Sequence, residues 1–292
     1  MNKLTLGTVQ FGLDYGVNNQ RGKVPREEVF AILDEAAAAG VDLLDTAYGY
    51  GESETVIGEY LRFKKNYFQL VSKLPKCQVA EAPNYLAETL QRLGRTSLYG
   101  YIFHDFETYR FQPVIYDWLV EQKRSGKIAK IGFSLYYPKE LDELLTNEVP
   151  FDLVQFPYSI FDRRFEDYLP TLKRKGIEVH VRSVFLQGLA FKNPAELDPS
   201  FNAIKDKITS LRSLASLNNI SIQAICLNYA VLNDQVDQVI VGVDSPENLK
   251  ELILAAGRSS EVAGLLPELD QLKEQNEEIL LPFNWAGKKV GA

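Results

Sequence analysis

The sequence predicts an α/β protein that folds as a closed (β/α)8 TIM barrel. Eight short apolar segments alternate with helical segments along the 292 residues, which is typical of a parallel sheet with helical crossovers. The apolar segments are mostly continuous, as in strands that are buried on both faces. An open doubly wound sheet is the alternative, but the first strand-to-helix turn, GTVQFGLDYG, lacks the G-x-G-x-x-G motif. We therefore expect one domain over residues 1–292, with extra helices near the C-terminus.

Each element in the first half of the chain has a local signal. The first strand, residues 5–8, precedes a glycine-rich loop, FGLDYGVNNQRGK. Pro25 then begins a helix that Gly40 ends, and Ser53 is the expected N-cap of the next helix. A third helix is expected to end near Gly94. The strands expected between these helices are VDLLDTA, QLVSKLP and LYGYIFH.

The same alternation continues in the second half. The expected strands are IAKIGFS, DLVQFPY, IEVHVRSV and QVIVGV, and a long helical region precedes the last of them. A further amphipathic stretch, LLPELDQLKEQNEEIL, leads to a short tail, PFNWAGKKVGA. No low-complexity linker divides the chain, so a single domain remains the expectation.

Composition excludes several classes of function. The net charge is -7, with an isoelectric point near 5.1, so nucleic acid and anionic membranes are not expected partners. No apolar run approaches the ~18 residues that a membrane span needs, and the first residues lack a signal-peptide core. Two cysteines, Cys77 and Cys226, lack metal-ligand spacing and are expected as free thiols in a reducing compartment. With only two histidines, no metal site is expected, and the predicted location is the cytoplasm.

Polar side chains end three consecutive strands. Asp45 ends the second strand, Lys73 the third and His104 the fourth, and Tyr50 follows Asp45 in a glycine-bracketed loop. Because parallel strands of a barrel end on one face, these four side chains should meet where barrel active sites lie.

The four residue types suit proton donation to a carbonyl oxygen. A nearby ammonium would lower the pKa of the Tyr50 phenol, Asp45 would keep the buried Lys73 charged, and His104 would donate to a substrate oxygen. Each also has a structural alternative: Asp45 as a loop cap, Lys73 as a solvated strand end, and His104 as a core histidine. Tyr50 competes with its neighbour Tyr48, and His180 is interpreted as structural.

On these residues the chain resembles the aldo-keto reductase family over nearly its whole length. DTAYGYGESE resembles the family pattern D-T-A-x-x-Y-G-(D/E)-S-E, whose register selects Tyr50 over Tyr48. SKLP resembles the strand-end lysine segment, and YIFHDFE resembles the strand-end histidine segment. The resemblance implies a catalytic tetrad of Asp45, Tyr50, Lys73 and His104, with Tyr50 as general acid.

The resemblance also implies an extended nicotinamide dinucleotide that is bound without a Rossmann fold. Ser134 in IGFSLY and Gln155 in DLVQFPY would contact the carboxamide. HVRSVFLQGLAF would run under the nicotinamide and along the pyrophosphate, and VIVGVDSPENLKEL would hold the adenosine ribose. The cofactor-binding residues implied are Gly7, Thr8, Ser134, Gln155, Arg182, Ser183, Gln187, Gly188, Gly242, Asp244, Asn248 and Glu251.

Three departures from the family pattern bear on the cofactor. Leu135 replaces an asparagine that helps to bind the carboxamide, and Arg182 replaces an aromatic residue that often stacks on nicotinamide. Gly242 and Asn248 stand where a lysine and an arginine commonly grip the 2′-phosphate, which weakens NADP relative to NAD. The family favours NADP, so we expect NADP with NAD as the alternative.

The expected substrate is a small carbonyl compound or alcohol, with a sugar among the candidates, and the expected assembly is a monomer or a weak homo-oligomer. Two other classes stay open at this point. One is a cofactor-binding redox-sensing or scaffold subunit with little turnover. The other is a lyase or aldolase that uses Lys73 as a Schiff-base amine.

Overall fold

A computed structural model of the chain describes residues 3–16, 19, 21–64 and 68–285. Parts of the predicted FGLDYGVNNQRGK loop and of the PFNWAGKKVGA tail lie outside the described residues. Within them, parallel strands form a closed barrel in the order β1 to β8, which confirms the TIM barrel over the open sheet. The strands are β1 (Leu4–Gly7), β2 (Leu43–Asp45), β3 (Gln69–Leu74), β4 (Leu98–Phe103), β5 (Ile128–Ser134), β6 (Leu153–Pro157), β7 (Glu178–Arg182) and β8 (Gln238–Gly242).

Helices connect the strands and surround the barrel. In chain order they are α1 (Arg26–Ala38), α2 (Ser53–Phe63), α3 (Ala82–Leu93), α4 (Phe106–Phe111), α5 (Val114–Arg124), α6 (Pro138–Thr146), α7 (Leu169–Arg174), α8 (Asn202–Asn218), α9 (Ile222–Val231), α10 (Pro246–Ala256), α11 (Ser259–Ala263), α12 (Leu266–Leu269) and α13 (Glu277–Leu280). The short helix α4 was not predicted from the sequence. None of the helices in the described ranges is both long and apolar enough to cross a bilayer.

Local sequence explains most helix ends. Pro25 is extended and precedes α1, whose first turn carries Glu27 and Glu28. Gly94 ends α3 in the left-handed conformation, as predicted. The Ser53 prediction is wrong: Glu52 occupies the N-cap position of α2, and Ser53 is its first helical residue. The amphipathic stretch after residue 264 breaks into α12, a 3₁₀ turn and α13.

The barrel wall separates two apolar regions. A large core fills the space between the strands and the surrounding helices. Inside the barrel, a smaller cluster consists of Leu43, Val71, Ile102 and Leu153 from β2, β3, β4 and β6. Strand alternation therefore leaves the carboxyl ends of the strands free to point polar side chains into the barrel mouth.

Candidate active site

The barrel brings the three strand-end polar residues and the loop residue Tyr50 together. Nζ of Lys73 lies 2.5 Å from Oδ2 of Asp45 and 3.4 Å from the hydroxyl oxygen of Tyr50. It also donates to the backbone oxygen of Thr46 at 2.9 Å. The Tyr50 and His104 rings meet edge to face, with centroids 5.7 Å apart. The Lys73 ammonium therefore lies between the Asp45 carboxylate and the Tyr50 hydroxyl and contacts both.

Tyr48, the competing tyrosine, points away from this group. Its hydroxyl donates to Glu88 at 2.8 Å, and the Arg92 guanidinium lies 4.1 Å from its ring centroid. The loop that carries Tyr50 instead packs against the β1 side of the barrel. A Cβ on Gly12 would lie 1.8 Å from the Tyr50 carbonyl oxygen, so only glycine permits this approach.

Burial dominates the acid–base properties of the site. Desolvation raises the pKa of Tyr50 above its ordinary value, and the Asp45 carboxylate raises it further, whereas Arg182 opposes the shift. The expectation of an acidified phenol is therefore wrong for the protein alone. Desolvation also lowers the pKa of Lys73, although Asp45 counteracts it. The raised pKa of Tyr50 keeps its proton on the oxygen at neutral pH.

His104 is a neutral imidazole at physiological pH. Burial, reinforced by the positive charge of Lys73, lowers its pKa to about 3. Its backbone N–H donates to the Leu74 carbonyl at 3.0 Å, which fixes the residue directly after β4. A neutral ring can donate one hydrogen bond to a substrate oxygen without carrying charge.

Two further residues, Gln155 and Thr8, hold Asp45 in position. The side-chain amide of Gln155 donates to Oδ1 of Asp45 at 2.8 Å across the barrel. The hydroxyl and backbone N–H of Thr8 both donate to the Asp45 carbonyl at 3.0 Å. The hydroxyl of Ser53 contacts Thr8 Oγ1 at 2.8 Å and Thr46 Oγ1 at 3.1 Å. Ser53 therefore braces the Asp45–Tyr50 loop, a role that its place within the DTAYGYGESE motif did not indicate.

A cavity of about 600 Å³ extends from His104 and Tyr50 to the start of α10. Lys73 lies behind Asp45 and is not on its wall. All the residues implied as cofactor-binding line this one cavity: Gly7, Thr8, Ser134, Gln155, Arg182, Ser183, Gln187, Gly188, Gly242, Asp244, Asn248 and Glu251. Their convergence joins segments from β1, β5, β6, β7 and β8 at the same face of the barrel.

Several cavity residues were missed by sequence reasoning. The Arg182 guanidinium packs over the Tyr136 ring at 4.2 Å and donates to the Leu135 carbonyl at 3.1 Å. The amide of Gln187 donates to the Tyr15 hydroxyl at 2.7 Å, so two walls of the cavity meet. Tyr136 follows Ser134 by two residues and could have been found from that spacing. Tyr15 lies in a loop without a pattern.

A second cavity of about 260 Å³ adjoins the first beside His104. The two share His104, Ser134 and Tyr136, and the second has aromatic walls formed by Tyr136, Tyr137, Phe106 and Phe283. Charged side chains at its edge include Lys139 and Arg110. Arg110 is paired with Glu107 and Glu143, whereas Lys139 lies over the Tyr137 ring.

The site thus combines a TIM barrel with a buried lysine–carboxylate pair next to a tyrosine hydroxyl. The Aldo/keto reductase family model matches residues 3–262, so the chain belongs to this family. The family resemblance inferred from the motifs is thereby confirmed.

Known relatives agree with this assignment. "Uncharacterized oxidoreductase YqkF" of Bacillus subtilis is 26% identical over 88% of this chain and 91% of its own length. The "NADH-specific methylglyoxal reductase" of Escherichia coli is 26% identical over 87% of this chain and 90% of its own. Among solved structures, the holo form of aldo-keto reductase AKR11C1 from Bacillus halodurans superposes with a TM-score of 0.76, at 20% identity and 95% coverage of both chains. At this level of identity, the structural likeness shows a shared fold and no more.

Proposed function

We propose that this chain is an NAD(P)H-dependent oxidoreductase that interconverts a small carbonyl compound and its alcohol. The observation that carries the proposal is the position of Lys73, whose ammonium contacts both Asp45 and the Tyr50 hydroxyl at the cavity wall. A reduced nicotinamide bound in the cavity would supply the hydride. Tyr50 delivers the proton to the carbonyl oxygen, and His104 donates a hydrogen bond that orients the same oxygen.

Lys73 and Asp45 support the proton transfer in different ways. When Tyr50 gives up its proton, the adjacent ammonium stabilises the phenolate, and this stabilisation is largest in a buried site. Asp45 holds the ammonium in place and partly offsets the desolvation that lowers the pKa of Lys73. The raised pKa of the resting phenol therefore suits a group that must keep its proton until substrate binds.

The cavity suits a dinucleotide by its size and by its unused polar groups. Oε1 of Gln10 is buried on the cavity wall and accepts no hydrogen bond from the described residues. The carbonyl compound would occupy the adjoining 260 Å³ cavity, where His104 faces both spaces. Its mixture of aromatic and charged walls suits a polar, hydroxylated substrate, and a sugar is one candidate.

The adenosine end of the cavity favours NAD over NADP, contrary to the expectation from the family. Asp244 and Glu251 line that end, and Arg182, near Tyr50, is the single Lys or Arg on the wall among the described residues. Arg21 approaches the Asp244 carbonyl at 3.1 Å, but Glu28 already pairs with its guanidinium. In the part of the chain that the structure describes, a 2′-phosphate would therefore face carboxylates without a free cation.

The test is turnover of purified protein, followed by the absorbance of the reduced nicotinamide with a panel of aldehydes, ketones and sugars. Tyr50→Phe should lower kcat by roughly 10²- to 10⁴-fold while cofactor binding, measured by fluorescence titration, stays unchanged. Tyr48→Phe is the matched control, because Tyr48 lies outside the cavity, and it should keep wild-type turnover. Full activity in Tyr50→Phe would remove the proposed acid, and tight cofactor binding without turnover on any substrate would favour the scaffold class.

A further inference from the structure

A row of polar side chains crosses the inside of the barrel below the active site. Gln155 of β6 is in register with His180 of β7, and His180 is in register with Gln238 of β8. Thr5 of β1 continues the row, since its hydroxyl donates to Oε1 of Gln238 at 2.7 Å. We call Thr5, Gln155, His180 and Gln238 the polar row. The apolar cluster with Leu43 occupies other inward positions of the barrel.

The hydrogen bonds around the Glu178 carboxylate fix the tautomer of His180. Nε2 of His180 lies 2.7 Å from Oε1 of Glu178, and this carboxylate also accepts from the Tyr99 hydroxyl and pairs with Lys130. A carboxylate held by these donors can only accept, so Nε2 of His180 carries the hydrogen. Burial lowers the pKa of His180 to about 3, which keeps the ring neutral. Nδ1 is therefore a bare acceptor.

This acceptor is buried and unused. His180 is 0% exposed, and Nδ1 receives no hydrogen bond from the described residues. Gln155 beside it uses its amide to donate to Asp45, and Gln238 accepts from Thr5. Buried polar atoms without a protein partner are commonly satisfied by an internal water with two or more polar contacts. Gln155 and Gln238 are the register neighbours of His180 on the two adjacent strands, so polar side chains stand on both sides of it.

We propose that the barrel interior holds one ordered water that donates to Nδ1 of His180 and bridges it to the polar row, and that His180 thereby positions Gln155. Gln155 in turn holds Asp45, which holds Lys73 beside Tyr50. His180 is thus a positioning residue that acts through the Gln155 amide and makes no contact with the reacting atoms. The positioning role of His180 in catalysis rests on the proposed function, whereas the water and the tautomer do not.

The first test needs no activity. A high-resolution crystal structure of the full chain should show a water within hydrogen-bonding distance of Nδ1 of His180. Nitrogen-15 NMR of histidine-labelled protein at pH 7 should show one ring protonated at Nε2 with its Nδ1 hydrogen-bonded as an acceptor. The chain has two histidines, so a His180 variant assigns both rings. A dry interior beside His180, or a ring protonated at Nδ1, would overturn the proposal.

Two substitutions then separate the two ring nitrogens. His180→Asn places a polar atom where Nδ1 stands but cannot reach Glu178, whereas His180→Gln reaches toward Glu178 and lacks an acceptor at the Nδ1 position. We expect His180→Asn to keep the water and lose little kcat. His180→Gln should lose the water and lower kcat by about tenfold, with KM for the carbonyl substrate nearly unchanged.

Thermal unfolding of both variants controls for general loss of stability, because each variant gives up one hydrogen bond. Equal kcat values in the two variants would refute the positioning role even if the water is present. A variant pair in which His180→Gln is the more active protein would do the same. If the wild type shows no turnover on any substrate, the proposed function fails, but the crystallographic and NMR results still decide the water.

Discussion

Nζ of Lys73 lies 2.5 Å from Oδ2 of Asp45, and the two side chains are 1% and 4% exposed. A pair this deeply buried is stable only while both charges are present, because each one offsets the desolvation of the other. The same pair places an ammonium 3.4 Å from the Tyr50 hydroxyl. The Lys73–Asp45 pair therefore contributes both to stability and to the proposed proton transfer. Experiments can separate these two contributions.

Removing one member of the pair should cost more than removing both. We expect Asp45→Asn to lower the free energy of unfolding by about 3 kcal/mol, because Lys73 is left buried without a counter-charge. The double variant Asp45→Asn with Lys73→Met should therefore be more stable than Asp45→Asn alone by at least about 1 kcal/mol. Denaturant unfolding of the four proteins measures this coupling. Strict additivity would show that the two groups do not interact in solution.

Stability should fall in mild acid because two histidines are buried in the neutral form. The pKa values of His104 and His180 are lowered to about 3 by burial, whereas a histidine in the unfolded chain titrates near ~6.5. Between these values the unfolded state binds more protons, so acidification favours unfolding. The free energy of unfolding should fall by about 1.4 kcal/mol per pH unit for each histidine, well below pH ~6.5.

His104→Gln isolates one of these contributions. Its stability should depend less steeply on pH than that of the wild type, by about 1.4 kcal/mol per unit, and carboxylates cancel in the comparison. Denaturant unfolding at several pH values between ~4 and ~7 measures the two slopes. Identical slopes would mean that His104 is protonated in the folded protein.

The hydroxyl of Ser53 should contribute to the stability of the fold, although it has no part in the proposed reaction. It is fully buried and contacts Thr8 and Thr46, which flank the strand end that carries Asp45. Ser53→Ala leaves these groups short of a partner, so we expect a loss of about 1–3 kcal/mol in the free energy of unfolding. Ser125→Ala is the control, because the Ser125 hydroxyl is exposed, and it should change stability by less than about 0.5 kcal/mol. Equal effects of the two substitutions would contradict the proposed role of Ser53 in holding the Asp45–Tyr50 loop.

A single added cation should change the cofactor preference. Asn248 lies in the first turn of α10 beside Asp244, where the proposed cofactor places its adenosine ribose. Asn248→Arg should lower KM for NADPH by about tenfold, because a guanidinium pairs with a 2′-phosphate, and should leave KM for NADH nearly unchanged. Asn248→Gln, which adds length without charge, should leave both values unchanged. A gain with NADH equal to that with NADPH would place the 2′-phosphate elsewhere.

The sequence alone determined the barrel and the meeting of Asp45, Lys73 and His104. Both follow from local properties: apolar runs alternate with amphipathic ones, and parallel strands necessarily end on the same face. The choice of Tyr50 over Tyr48 came from the register of a motif, and the structure places Tyr48 away from the site, in contact with Glu88 and Arg92.

Only the tertiary structure decided which hydrogen bonds hold these groups and which protonation states they adopt. The bond from Gln155 to Asp45 joins residues 110 positions apart, and the contact of Ser53 with Thr8 joins residues 45 positions apart. No periodicity in the sequence encodes such pairs, since they depend on strand register around the closed barrel. The pKa of Tyr50 rises because burial and the Asp45 carboxylate outweigh the Arg182 guanidinium, and burial is a property of the folded chain.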